Sequence, residues 1–252
     1  MKARSQSFST PTKRSSQPRE TWTCKRALAG LRKLGKKRNV EGMARFGIVA
    51  NHVYGVAKPK MDQLAKRIGR DHDLALKLWE TGVHDARILA GMIDEPPKVT
   101  AAQMNRWVRD FDNWDVCDGT CCHLFVFAEP AWDRAEEWTK RTAEFEKRAG
   151  FALIAYLAYR DKMAKDAQYR KMLPILLREA HDDRNFVRKA VNWALRNIGK
   201  RNLALNHAAI RTAEKMRKLD SRAARWIAGD ALRELNSNAV QNRLRRKKAY
   251  SQ

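Results

Sequence analysis

The stretch DHDLALKLWETGVHDARILAGMI, residues 71 to 93, decides the fold. Its apolar residues recur at intervals of three and four, as Leu74 and Leu78 do and then Ile88 and Met92. This spacing is typical of helices that bury one face. A short turn separates the two periodic segments, so the stretch predicts a helix, a tight turn and a second helix that form one unit.

Four further units of this kind follow along the chain. Counting the first unit, the second helices are predicted to begin near residues 84, 114, 144, 184 and 221. A spacing of about 30 to 40 residues is that of HEAT-like repeats, which stack into an α-solenoid whose concave face is lined by the second helices. An all-α solenoid is therefore predicted. An earlier pair at roughly 22–34 and 41–50 or slightly beyond could supply a first repeat, although Gly30, Gly35, Gly42 and Gly47 disfavour helix there.

The positive charge of the chain is concentrated at its two ends. The 52 Lys and Arg residues exceed the 28 acidic residues and give a net charge of +24. Residues 1–40 carry +11 and residues 241–252 carry +5, which leaves +8 for the part between them. We expect a disordered basic tail over 1–20, a single HEAT-like repeat domain over 21–238 and a basic tail over 239–252. Such tails either add salt-sensitive attraction to phosphates or merely aid solubility.

Composition excludes several classes of protein. No apolar run approaches the roughly 18 to 20 residues of a membrane span, so no membrane partner is expected. The four cysteines are too few and too clustered for a disulfide framework, which fits a reducing cytosol. Cys117, Cys121, Cys122 and His123 lack a second pair of metal ligands, so we expect core thiols and no metal. No phosphate-binding loop pattern occurs, so no cofactor is expected.

The segment FDNWDVCDGTCCHLF, residues 111–125, carries the strongest functional pattern. Trp114 and Asp118 are four positions apart, so an indole and a carboxylate share one helix face. On a strongly basic protein this pair suggests a site that handles a cation near nucleic acid. Arg148 and Trp193 lie on later second helices, and stacking of the repeats could bring all four side chains to one surface.

Each of these residues also has an ordinary interpretation. A tryptophan at helical spacing is more often core than ligand platform, and the segments around Trp138 and Trp226 are expected to be packing. An aspartate at a helix start usually caps the helix, and Asp115 is placed to do so. Arg148, near a helix start, would be unremarkable as a solvated side chain.

Several motifs in order along residues 40 to 236 resemble the bacterial DNA alkylation repair family, the HEAT-like DNA glycosylases of the AlkD type. The motifs are YGVAKPKMDQLAKRIG, LWETGVHDARILAGMID, DFDNWDVCD, KRAGFALIA and RNFVRKAVNWALRNIGKRN. The resemblance implies a basic concave face that grips duplex DNA containing alkylated bases. It also implies hydrolysis of the N-glycosidic bond of cationic purines such as 3-methyladenine and 7-methylguanine.

By the same resemblance, Asp118 is the catalytic carboxylate, Trp114 and Trp193 are the aromatic walls, and Arg148 holds a phosphate beside the lesion. These residue types suit the reaction, because positive charge develops on the deoxyribose as the bond breaks and a fixed carboxylate stabilises it or orients the attacking water. Indole faces attract the charged nucleotide by up to about 2 kcal/mol. No lysine lies on the Trp114–Asp118 helix, so a monofunctional hydrolase is predicted.

Two other functions stay open at this point. A non-catalytic HEAT-repeat scaffold could bind nucleic acid or protein with the same surface, since a fold does not fix a function. The basic tails could instead serve RNA or ribosome association. Extrusion of the base into a pocket and attack from the backbone side are both compatible with the sequence. We expect a monomer that works in the cytoplasm on the nucleoid.

Overall fold

The computed structural model describes residues 21 to 249, so the predicted tail over 1–20 lies outside the described residues. Within them no β-strand occurs, and an isolated bridge joins Gly35 to Val56. Short 3-10 turns lie at Pro96–Lys98, Phe125–Phe127 and Glu179–His181. The α-helices are Cys24–Leu34 (α1), Lys37–Ala44 (α2), Lys58–Ile68 (α3), His72–Trp79 (α4), His84–Ile93 (α5), Ala101–Arg109 (α6), Trp114–His123 (α7), Ala131–Trp138 (α8), Glu144–Arg160 (α9), Asp166–Arg178 (α10), Asn185–Gly199 (α11), Leu203–Arg217 (α12), Arg222–Leu235 (α13) and Asn238–Ala249 (α14).

The five predicted helix pairs are present, from α4 with α5 to α12 with α13. The second helices of the pairs pack against one another in order, α5 on α7, α7 on α9, α9 on α11 and α11 on α13. We call these five helices the second-helix layer. The predicted all-α solenoid of helical repeats is confirmed, and side chains that point outward from the second-helix layer share one continuous surface.

The N-terminal repeat differs from its prediction. In place of a second helix over 41–50, α2 ends at Ala44 and an irregular segment, residues 45–57, leads to α3. Gly47 and Gly55 have φ angles of 72° and 75° in this segment, which a helix cannot contain. The Asp85 carboxylate of α5 fixes the end of the segment, because it accepts hydrogen bonds from the backbone N–H groups of residues 54, 55 and 56 at 2.6, 3.3 and 2.8 Å.

The C-terminal end also differs from its prediction. The span expected to be a basic tail from residue 239 is helical as far as Ala249. Val240 and Leu244, one helical turn apart, are 6% and 1% exposed, so they anchor α14 against the preceding repeat. No helix within residues 21–249 combines the length and apolar character needed to cross a bilayer.

Aromatic side chains dominate the interior of the repeats. Trp79 and Trp107 stack with ring centroids 3.9 Å apart, and both are fully buried. Trp138 is also fully buried, which confirms the packing role predicted for it. Trp226 is 40% exposed and is therefore not a core residue, but it packs between repeats, as the sequence predicted, because the Arg188 guanidinium of α11 lies 4.7 Å from its ring centroid.

Candidate active site

The start of α7 is set by its capping residue. The Asn113 side chain accepts hydrogen bonds from the backbone N–H groups of Asp115 and Val116, at 3.0 and 3.1 Å. Asn113, and not Asp115, is therefore the N-cap, and the capping role expected for Asp115 is wrong. Asp115 instead faces the His84 imidazole, with Oδ2 to Nε2 at 3.2 Å. This start places Trp114 at the first helical position and Asp118 one turn later.

Asp118 and Arg148 form a two-pronged ion pair between α7 and α9. Arg148 donates from Nε to Oδ1 at 2.9 Å and from Nη2 to Oδ2 at 2.7 Å. Its Nη1 donates to the backbone carbonyl of Phe186 at 2.6 Å, so the same side chain also reaches α11. Arg148 is 7% exposed, which excludes the solvated surface arginine considered from sequence. Paired donors in one plane fix the orientation of the carboxylate.

Burial and ion pairing act in opposite directions on Asp118. Burial raises its carboxyl pKa above the ordinary aspartate value of 3.8, although the Arg148 guanidinium favours the charged form. Burial alone would lower the pKa of Arg148, but the Asp118 carboxylate outweighs it and raises that pKa. The Asp118 side chain keeps 16% of its surface exposed, so the carboxylate is largely desolvated yet open to a ligand on one side.

The two predicted indoles are held by separate contacts on either side of this pair. Trp114 donates from Nε1 to the backbone carbonyl of Phe46 at 2.9 Å, which ties it to the irregular segment. Trp193 on α11 packs against the ring of Tyr156 at a centroid distance of 4.8 Å and an angle of 81°. Both indoles are partly exposed. The structure thus joins Asp118 and Arg148 directly. Trp114 lies one turn before Asp118 on α7, and Trp193 lies on α11, the helix that packs against α9.

Tyr156 is a site residue that sequence reasoning missed. It lies on α9 two turns beyond Arg148, so it shares that face of the helix, and this spacing is the signal that could have identified it. Burial raises the pKa of its phenol strongly, and the Cys122 thiol and the Asp118 carboxylate add to the effect. Tyr156 therefore stays protonated, and its ring packs against that of Trp193.

Phe46 and Phe186 were also not singled out from sequence. Their backbone carbonyls accept the hydrogen bonds of Trp114 and Arg148. A Cβ on Gly47 would come within 3.1 Å of the Phe186 ring, so the irregular segment passes closely over the start of α11. Every residue type has a backbone carbonyl, so contacts of this kind cannot be predicted from the side chains in the sequence.

Two of the three cysteines of α7 serve packing, whereas Cys122 is only partly buried and is not the core thiol that was expected. Cys117 and Cys121 are fully buried, and their thiols lie 3.7 and 3.8 Å from the backbone carbonyls of Phe145 and Ala149. Among residues 21–249 no group of His, Cys, Asp and Glu side chains is arranged to hold a metal ion. The candidate site therefore consists of the oriented Asp118 carboxylate, the Arg148 guanidinium, the neutral Tyr156 phenol and the indoles of Trp114 and Trp193.

Comparison with known proteins concerns the family and the fold of the chain. A family model described as DNA alkylation repair enzyme matches residues 27–235. No curated protein matches the chain. One solved structure, described as "a new family of proteins related to the HEAT-like repeat DNA glycosylases with affinity for branched DNA structures", superposes with a TM-score of 0.69 at 23% identity, over 84% of this chain and 95% of that one. At that identity the likeness shows a shared HEAT-like fold. The family match extends over most of the chain, which therefore belongs to the DNA alkylation repair enzyme family.

Proposed function

We propose that this protein is a monofunctional DNA glycosylase that removes cationic alkylated purines, such as 3-methyladenine and 7-methylguanine, from duplex DNA. The observation that carries the proposal is Asp118, a largely buried carboxylate that Arg148 orients on the second-helix layer. The helix of Asp118 also carries the partly exposed Trp114, and the partly exposed Trp193 lies on α11, so the second-helix layer offers two indoles to a substrate as large as a duplex. Membership of the alkylation repair family supports the same reaction class.

The reaction needs little more than electrostatic assistance. The bond from C1′ to the purine nitrogen breaks, the electron pair leaves with the base, and the cationic purine departs as a neutral molecule. The deoxyribose becomes an oxocarbenium ion, which Asp118 stabilises because a fixed negative charge is worth more in a desolvated setting. Water then adds to C1′ and gives up its proton to solvent. No lysine occurs in α7, so this helix offers no amine for a Schiff base.

The neighbouring side chains select and position the substrate. Trp114 and Trp193 present indole surface that attracts a positively charged nucleotide more strongly than a neutral one. Arg148 holds Asp118 in place through two hydrogen bonds and thus acts as a positioning residue. Its expected contact with a DNA phosphate remains a prediction, and its three hydrogen bonds in this structure are all within the protein.

The first test compares Asp118→Asn with Asp115→Asn. Both variants change an aspartate of α7 to its amide, but Asp115 is 42% exposed and faces His84 instead of Arg148. With methylated duplex DNA and no added metal, we expect Asp118→Asn to lose release of 7-methylguanine by about 100-fold or more. Asp115→Asn should remain near wild type. Equal release by Asp118→Asn would exclude Asp118 as the catalytic group.

Folding must be controlled in this comparison, because the amide of Asp118→Asn turns an N–H donor toward the donors of the buried Arg148 side chain, and an unsatisfied buried group costs about 1 to 3 kcal/mol. The double variant Asp118→Asn/Arg148→Met removes both charges and should melt closer to the wild type. It should be as inactive as the single variant while still binding DNA. Activity in the folded double variant would contradict the proposed mechanism.

A second candidate function is binding of branched DNA without excision. It is favoured by the solved structure with the same fold, whose family is described as having affinity for branched DNA. This alternative predicts tighter binding to a four-way junction than to a duplex of equal length, and no release of methylated purine under conditions where DNA is bound. We further propose that the protein acts on the nucleoid, since either function requires DNA. We also propose that it acts as a monomer.

A further inference from the structure

The seam between α11 and α13 is built as a ladder of polar pairs with a step of four residues. Lys200 pairs with Glu234 at 2.9 Å, and Arg196 pairs with both Glu234 and Asp230 at 2.8 and 3.3 Å. One turn earlier, Asn192 donates to Asp230 at 2.7 Å. Each position on α11 thus meets an acid on α13, and the pattern steps back by four residues on both helices.

The next step of the ladder breaks this pattern. Four residues before Asn192, α11 carries Arg188. Four residues before Asp230, α13 carries Trp226, where an acidic residue would have continued the series. The Arg188 guanidinium lies over the indole, 4.7 Å from the ring centroid. Its Nε is buried and has no hydrogen-bond partner, and no carboxylate of residues 21–249 forms an ion pair with it. Trp226 itself is 40% exposed.

This lack of a counter-ion is unusual for the partly buried arginines of the second-helix layer. Arg148 is paired with Asp118 at 2.7 Å, Arg87 with Asp110 at 3.7 Å and Arg196 with Glu234 at 2.8 Å. An indole fixes the position of a guanidinium by cation–π attraction, but it carries no charge and leaves the full positive charge of Arg188 uncompensated. A half-buried cation held in this way favours an anion from outside the chain.

The pair lies in line with the candidate active site. Trp114 is the first residue of α7, Arg148 the fifth of α9, Arg188 the fourth of α11 and Trp226 the fifth of α13. Because these helices pack in that order, the four residues follow one edge of the second-helix layer from the site toward the C-terminus. A strand of DNA that lies at Asp118 and runs along this edge would pass Arg188 and Trp226 next.

We propose that Arg188 and Trp226 together bind a phosphodiester of the DNA backbone that flanks the lesion, on its C-terminal-repeat side. Arg188 donates hydrogen bonds to the phosphate oxygens, and Trp226 holds the guanidinium and shields it from competing water. The contact carries no sequence information and adds affinity for any DNA. This inference rests on the proposed function, since it requires that DNA lies on the second-helix layer.

The test measures binding of undamaged duplex DNA at several salt concentrations. Loss of one phosphate contact lowers the slope of log K against log salt by about 0.9 and weakens binding about fivefold to tenfold near 0.1 M salt. We expect this result for Arg188→Gln. The matched control is Arg211→Gln, the same change at an exposed position of α12, a first helix outside the layer. Its slope should stay near that of the wild type.

A second variant tests the role of the indole. Trp226→Leu keeps the Arg188 charge but removes its support, so the affinity should fall several-fold with a smaller change in slope. Thermal melts provide the folding control: Arg188→Gln removes an uncompensated cation and should melt no lower than the wild type. A destabilised Arg188→Gln, or a slope equal to that of the wild type, would overturn the inference.

The outcomes separate this inference from the proposed function. A reduced slope for Arg188→Gln together with full excision by Asp118→Asn would leave the phosphate contact standing and remove the catalytic proposal. An unchanged salt slope for Arg188→Gln together with an inactive Asp118→Asn variant would remove the phosphate contact and leave the catalytic proposal standing. Failure of the wild type to bind DNA would overturn both.

Discussion

At the scale of single residues, the raised pKa of Asp118 predicts how excision depends on pH. The proposed reaction uses the Asp118 carboxylate, so excision should fall as the pH drops through a midpoint above 3.8, the ordinary aspartate value. Single-turnover release of 7-methylguanine, corrected for uncatalysed loss, measures this midpoint. The residual release by Asp118→Asn should show no such step. A midpoint at or below 3.8 would contradict the desolvated state described for Asp118.

The fold should survive the same acidification. A carboxyl whose pKa is raised on folding gives the native state no stability to lose on protonation. Asp182 behaves in the opposite way: burial alone would raise its pKa, but Arg184 and Lys147 outweigh burial and lower it to about 2. Its contribution is fully present above 3.8 and is lost only as the pH falls to about 2. Activity should therefore disappear while circular dichroism remains native.

At the scale of helices, the crossing of α8 and α9 depends on Gly150. A Cβ at this position would lie 2.7 Å from the Thr139 backbone nitrogen and 3.0 Å from the Ala135 carbonyl oxygen. These are backbone atoms, so Gly150→Ala should lower the free energy of unfolding by about 1 to 3 kcal/mol. The control is Gly229→Ala in α13, which meets nothing within 4 Å and should stabilise by about 0.5 to 1 kcal/mol. Chemical denaturation distinguishes the two, and equal effects would refute the crowding at Gly150.

At the scale of the whole molecule, the charge outside the repeats should affect binding and leave the chemistry unchanged. Deletion of residues 1–20 lowers the net charge from +24 to +20. We expect weaker binding to every duplex and a smaller salt slope, with unchanged excision at saturating DNA. A full-length variant with the five basic residues of 1–20 changed to Gln separates charge from length and should behave like the deletion. A loss of single-turnover excision in either variant would place part of the active site in this segment.

The solenoid was predictable because its signals are local. Helical periodicity and short turns recur in each pair, so the five pairs follow from patterns within about 30 residues. The irregular segment 45–57 did not follow, since its path is set by hydrogen bonds to Asp85 on a later helix. Helix α14 was not predicted, because its many basic residues suggested a tail. Only Val240 and Leu244 indicate in the sequence that it packs against the repeats.

The candidate site was predictable to a similar depth. The shared face of Trp114 and Asp118 is a property of one helix, and the family resemblance identified Arg148 and Trp193. The hydrogen bonds between Asp118 and Arg148 depend on how two repeats 30 residues apart are aligned, and this alignment cannot be predicted from the sequence. A packing role for Trp226 was predictable, but its partner Arg188 on α11 and its 40% exposure follow only from the contact between the two helices.

The link between Asp118 and Arg148 also bears on how a protein with the proposed activity can lose it during evolution. A single substitution that removes the carboxylate oxygens would leave the buried donors of Arg148 without acceptors and penalise folding, so the two positions are expected to change together or to pass through an unstable intermediate. Descendants that keep only DNA binding should then be recognisable from sequence by a joint replacement at the positions of 118 and 148. An arginine retained without its acid would instead mark a recent or still unfinished transition.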